Sequence, residues 1–154
     1  MLAVVGLGAN LGDRVGALRA AEARVGELGV VRARSRVYET DPVDAPPPNY
    51  LNAAVALETE LAPEDLMRAL LAIEASMGRV RAEKNGPRTI DLDVLWIEGV
   101  ALASEVLTVP HPRLTERAFA LVPLLEVAPG ARDPATGRAY AEIALDRAGI
   151  RAVP

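Results

Sequence analysis

The sequence predicts an α+β fold, a βαββαβ core of the ferredoxin-like kind with an antiparallel sheet, both helices packed on one face of it, and C-terminal additions. Three observations carry that expectation. Apolar, β-prone stretches and stretches of helical spacing follow one another as strand, helix, strand, strand, helix, strand. That order divides into two strand-helix-strand units whose middle strands are adjacent. The chain of 154 residues, 51% hydrophobic and without cysteine, is long enough to bury a core unaided by disulfides, so residues 1–154 read as a single domain.

Residues 2–8, LAVVGLG, form the first strand, and ANLGDR turns the chain with Asp13 as a helix N-cap. From 14 to 28, Val15, Leu18, Ala21, Val25 and Leu28 make an apolar stripe, Arg14, Arg19, Glu22, Arg24 and Glu27 face water, and Gly29 closes the helix. In residues 30–40, Arg32, Arg34 and Arg36 alternate with Val31, Ala33, Ser35 and Val37, the pattern of one half-exposed strand. Pro42, Pro46, Pro47 and Pro48 exclude helix and central strand over 40–49 and leave a stiff loop. YLNAAVALET, residues 50–59, is the next strand. Over 62–78, Pro63 near the first helical position, the acids behind it and Gly78 at the end bound the second helix. Ile90, Leu92, Val94, Leu95 and Trp96 supply the last core strand. Past Gly99 the pattern weakens to a loop and short helix over 107–119, a strand or turn over 121–130, and a final short helix over 139–149.

Several function classes drop out. A net charge of −4 argues against a surface that embraces nucleic acid. The apolar runs are broken too early to span a bilayer, and MLAVVGLGAN has no basic leader, which makes it a strand rather than a signal peptide and the expected address cytoplasmic. Without cysteine there is no thiolate catalysis, and the single histidine, His111, cannot build a zinc cage. Gly6, Gly8 and Gly12 miss the G-x-G-x-x-G dinucleotide spacing because position 11 is leucine, so they read as a tight strand-to-helix turn.

What remains points to phosphate. Residues 79–88 hold Arg79, Arg81, Lys84 and Arg88 against Glu83 alone. The run is either a solvated loop or a lid that clamps phosphates; arginine's planar fork suits phosphate oxygens, and the loop feeds directly into Asp91 and Asp93. Residues two apart on a strand share a face, so both carboxylates point the same way. Nearby arginines on a sheet edge would neutralise them; magnesium, which takes one or two carboxylates plus water and substrate phosphates, would use them. Tyr50 and Asn52 also share a strand face, where an aromatic and an amide can stack on and hydrogen-bond a flat heterocycle, although core packing is the commoner fate of such aromatics. His111, between two prolines, is either a plain loop residue or joins Arg117 at a phosphate. A cation site and an arginine-rich loop without a covalent nucleophile imply phosphoryl transfer, which needs chiefly alignment and charge neutralisation.

Gly86-Pro87-Arg88-Thr89-Ile90-Asp91-Leu92-Asp93-Val94-Leu95 resembles the signature of the 6-hydroxymethyl-7,8-dihydropterin pyrophosphokinases of folate biosynthesis. Gly8-Ala9-Asn10-Leu11-Gly12, Tyr50-Leu51-Asn52-Ala53-Ala54, Gly78-Arg79-Val80-Arg81 and Leu107-Thr108-Val109-Pro110-His111 resemble further family motifs in the right order, over about residues 4 to 128. The resemblance implies a ferredoxin-like enzyme that moves the terminal diphosphate of ATP onto the pterin hydroxymethyl group, releasing AMP with the help of two magnesium ions. It implies that Asp91 and Asp93 ligate the ions and that Arg79, Arg81, Arg88, His111 and Arg117 hold triphosphate oxygens. Tyr50 and Phe119 would sandwich the pterin, Asn52 would read its polar edge, and backbone at Thr40, Asp41 and Val43 would complete that pocket. Val94, Leu107 and Thr108 would line the adenine and ribose side, with Glu74 supporting the ATP site from the second helix. The partners are small molecules, with no nucleic acid or membrane, and the enzyme is expected to be a monomer whose loops 40–49 and 79–88 close after ATP and magnesium bind. Asn85 stands where some members carry tryptophan, and Pro112 where an aromatic sometimes follows the histidine. Two other readings are a non-catalytic ligand-binding module and a phosphohydrolase that needs no pterin.

Overall fold

The computed structural model describes residues 1–10, 12–41, 49–78 and 90–153. The core runs β1 (Leu2–Ala9), α1 (Arg14–Gly26), β2 (Val30–Arg34), β3 (Tyr38–Thr40), β4 (Tyr50–Glu58), α2 (Pro63–Ser76), β5 (Asp91–Ile97). Strands align as β5-β1-β4-β3, with β2 also on β4 and every pairing antiparallel, which is the expected ferredoxin-like α+β arrangement. The basic stretch 79–88 and residues 42–48 of the proline-rich loop lie outside the described residues.

Local chemistry sets the element ends. Asp13 caps α1 by accepting a hydrogen bond from the Gly16 amide at 3.0 Å, and Pro63 opens α2 at a position whose amide needs no partner. The predicted single strand 30–40 is two. Ser35 interrupts it, its Oγ accepting from the Ala54 amide at 2.8 Å while its own amide donates to the Ala54 carbonyl, so β4 stays satisfied across the break.

Alternation along each strand sorts side chains to two faces. Val5, Leu7, Leu51, Val55, Leu92 and Val94 pack against Leu18 and Val25 of α1 and Leu66 and Leu70 of α2. The opposite face is covered as well. α3 (Ala118–Val127) lays Leu121 and Leu124 on Val4, Ala54, Ala56, Leu95 and Trp96. This corrects the expected strand or turn over 121–130: a helix buried nearly all round has no polar stripe to reveal its period, and Pro123 inside it mimics a breaker.

The C-terminal region departs in a second way. A short hairpin, β6 (Leu102–Ala103) and β7 (Thr108–Val109), and a 3₁₀ turn at Leu114–Glu116 precede α3. Instead of a last helix over 139–149 there is only the 3₁₀ turn Tyr140–Glu142, followed by extended chain. Ile143 and Leu145 both pack on the second core; two apart, they would lie on nearly opposite sides of a helix. The chain then returns as β8 (Ile150–Ala152), a further sheet strand paired with β3.

Candidate active site

Register assembles the site on the α3 side of the sheet. Gly8 of β1 pairs with Asn52 on one flank and Asp91 on the other, while Gly6, one step along that face, pairs with Ala54 and Asp93. The amide and the two carboxylates therefore share one surface, two strand spacings or about 10 Å apart. Glycine at position 8 leaves room for that amide, since a Cβ there would lie 3.0 Å from the Asn52 Oδ1 and press on it. Gly6 and Gly8 thus lie within β1 and clear a floor between Asn52 and the aspartates, and only Gly12 of the three glycines belongs to the expected strand-to-helix turn.

On the amide side, Asn52 is buried and donates through Nδ2 to the Thr40 Oγ1 at 2.9 Å, which orients it. Tyr50 lies one pleat further along β4, half-buried, and Phe119 near the start of α3 is half-buried on the same side of the sheet. The Arg117 guanidinium stacks over the Phe119 ring at 5.4 Å from its centroid. Asp41 is exposed and bonded to the C-terminal strand.

On the carboxylate side, the Asp93 side chain is 42% exposed and its Oδ2 lies 3.2 Å from the His111 Nε2. The His111 amide donates to the Leu95 carbonyl at 2.9 Å, pinning the loop after β7 to β5. Its Nδ1 accepts from the Arg113 amide at 3.2 Å, so the ring proton sits on Nε2, directed into the site. Glu74 is buried on the other face of β5 and accepts the Leu92 amide at 2.7 Å. β5 ends the sheet order, and this carboxylate caps an edge amide between the two aspartates.

Of the expected site residues, the fold gathers Thr40, Tyr50, Asn52, Asp91, Asp93, His111, Arg117 and Phe119 around one face. Val94 and Leu107 have their side chains in the α1–α2 core, and Thr108 is exposed on β7, so Val94 and Leu107 can offer a nucleotide only their backbone. Val43, Arg79, Arg81 and Arg88 lie outside the described residues. One cluster was not anticipated: Tyr38, paired with Asn52 across the strands, donates its hydroxyl to Glu126 of α3, and Glu126 also accepts the Arg36 amide at 2.7 Å. Burial, then the hydrogen bond to Glu126, pushes the Tyr38 hydroxyl above its ordinary pKa. Its spacing of two from Thr40 is the sequence signal that places it on this face.

The family model for 7,8-dihydro-6-hydroxymethylpterin-pyrophosphokinase matches residues 4–129. The chain belongs to this family. A pyrophosphokinase of Methylorubrum extorquens is 47% identical over 130 residues, 82% of each chain, and that of Bacillus subtilis is 40% identical over 153 residues, 97% of this chain and 89% of the relative. The solved structure of an HPPK-DHPS in complex with substrates superposes with a TM-score of 0.69 at 14% identity, a likeness of fold; it covers 92% of this chain, which spans 42% of that longer one. As a member, this pyrophosphokinase transfers pyrophosphate from ATP to the hydroxymethyl group of 6-hydroxymethyl-7,8-dihydropterin in folate biosynthesis, releasing AMP.

Proposed function

We propose that the two ends of the Asn52–Gly8–Asp91 row divide the reaction, pterin held at the β3–β4 end and the ATP phosphates at the β5 end. That row is the observation that carries the reading, since it sets a buried, oriented amide about 10 Å from a pair of partly exposed carboxylates on one face of the sheet. On the pterin side Tyr50 and Phe119 stack on the ring, Asn52 reads its polar edge, and backbone at Thr40, Asp41 and Val43 completes the recognition. On the ATP side Arg79, Arg81, Arg88 and Arg117 neutralise phosphate oxygens and the His111 Nε2 donates a hydrogen bond to one, with backbone at Val94 and Leu107 and the exposed Thr108 beside the base and ribose. Glu74 serves that side by holding β5 in register beneath the aspartates.

Asp91 and Asp93 would hold Mg²⁺, two ions by family resemblance. Among the described residues no group of three or more His, Cys, Asp or Glu gathers to form an all-protein cage. A hard cation that keeps its waters and bridges to phosphates fits two carboxylates on one partly exposed face. Held by these two carboxylates, the metal would supply charge neutralisation at the phosphates. The chain is read as one domain acting as a cytoplasmic monomer; no helix among the described residues is long and apolar enough to cross a membrane.

Asp93→Ala tests the assignment. With ATP, magnesium and the pterin, AMP formation should fall at least about a hundredfold while the melting temperature holds, because the replaced side chain belongs to the site surface rather than to a core. A near-normal rate would refute the metal site. Release of inorganic phosphate from ATP without pterin, at the rate seen with it, would indicate hydrolysis instead.

A further inference from the structure

One charged cluster has no task in the reaction as described. Glu39 alternates with Tyr38 and Thr40 on β3, so it projects from the face opposite Asn52. Two arginines from distant parts of the chain meet it there: Arg14 Nη1 of α1 at 3.2 Å and Arg151 Nη2 of β8 at 2.7 Å. The same Arg14 nitrogen donates to the Asn49 carbonyl at 2.8 Å, and Arg151 Nη1 donates to the Asp41 Oδ1 at 3.3 Å. The Arg151 hydrogen bond holds the Glu39 carboxyl below its usual range, which keeps it charged. Backbone reinforces the side chains. Arg151 lies opposite Glu39 and Ile150 opposite Thr40, and the Asp41 amide donates to the Gly149 carbonyl at 3.0 Å. Gly149 adopts φ +80°, a left-handed conformation that favours glycine, and a Cβ there would stand 3.1 Å from the Asp41 carboxylate and press on it.

We propose that β8, through Arg151 and with Arg14 as its counterpart on α1, fixes the backbone at Thr40 and Asp41 in the position that recognises the pterin. Arg151 is thereby a positioning residue for pterin binding, supplied by the C-terminal segment. The inference rests on the reading that Thr40, Asp41 and Asn52 form the pterin side. β3 is three residues long, and β8 covers the edge that β4 leaves open. An isolated exposed ion pair contributes little, but here one carboxylate joins two arginines, and the arginines tie down Asp41 and Asn49 on either side of residues 42–48.

Steady-state kinetics of full-length Arg151→Ala, Arg151→Lys and Asn52→Ala test it. Arg151→Ala should raise KM for the pterin roughly three- to tenfold, with kcat and KM for ATP within about twofold of wild type, and Arg151→Lys should recover part of the loss. The proposal is overturned if Arg151→Ala leaves the pterin KM unchanged while Asn52→Ala raises it. It is equally overturned if Arg151→Ala raises both KM values together as the melting temperature falls, the signature of a merely structural contact. Should Asn52→Ala also leave the pterin KM unchanged, the pterin pocket itself is misassigned and this inference goes with it.

Discussion

Tyr140 sets a hydroxyl inside the second core, 1% exposed and without a hydrogen-bond partner among the described residues. Burial, with the nearby Asp133 charge, pushes its pKa up to about 12. The unfolded chain ionises this group near 10, so from there upward the unfolded state releases its proton first. Stability from this site is full below about pH 10 and is lost as pH rises through the folded value, about 12. Tyr140→Phe should flatten that alkaline loss, leaving a residual slope from Tyr38, whose pKa is also raised. At pH 7 it removes no described bond, so unfolding free energy should hold or rise by about 1 kcal/mol. A fall of more than about 1 kcal/mol in urea titration would show a partner at that hydroxyl. Residue identity was legible at positions governed by spacing: Asp91 with Asp93, and Tyr50 with Asn52, share a face because alternation admits no other outcome. Glu74 was legible only as a supporting acid, since its bond to the Leu92 amide joins α2 to β5 and neither element's own pattern announces that contact.

At the scale of elements, caps and periodicity located α1, α2, β1, β4 and β5 to within a residue or two. They failed for α3, because a segment apolar but for Glu126 carries no readable period, and for β8, because a three-residue strand is defined by its partner rather than by its own composition. α3 closes the second core and carries Phe119 and Arg117 into the site, so its packing and the site geometry are coupled. Leu121 is fully buried between α3 and the sheet. Leu121→Ala should cost about 2–5 kcal/mol of stability, whereas the same change at Leu145, only partly buried at the margin of that core, should cost less. Equal losses in denaturant titration would contradict the ranking.

Across the whole molecule, the sheet has its α1–α2 face filled, and its α3 face filled at one end and partly exposed at the other, where the two aspartates stand. Ligand should therefore register as added stability of the whole domain. Magnesium alone, with only two carboxylates to hold it, should barely move the melting temperature. Magnesium with a non-hydrolysable ATP analogue at about a hundred times Kd should add about 2.7 kcal/mol, or roughly 5–10 °C for a chain of this size. Asp91→Ala should abolish most of that shift; an undiminished shift in calorimetry would place nucleotide elsewhere.

The order of strands and helices, the paired carboxylates and the motif series were settled locally, since each depends on residues within a turn or a pleat of one another. Which strands lie side by side was not. Alternation says that Asn52 shares a face with Tyr50, but only the β4-β1-β5 register brings it level with Asp91, and only the return of the chain as β8 joins Arg151 to Glu39. Such pairings are decided when the two cores close together, because no local preference encodes the cost or the gain of bringing distant segments into contact.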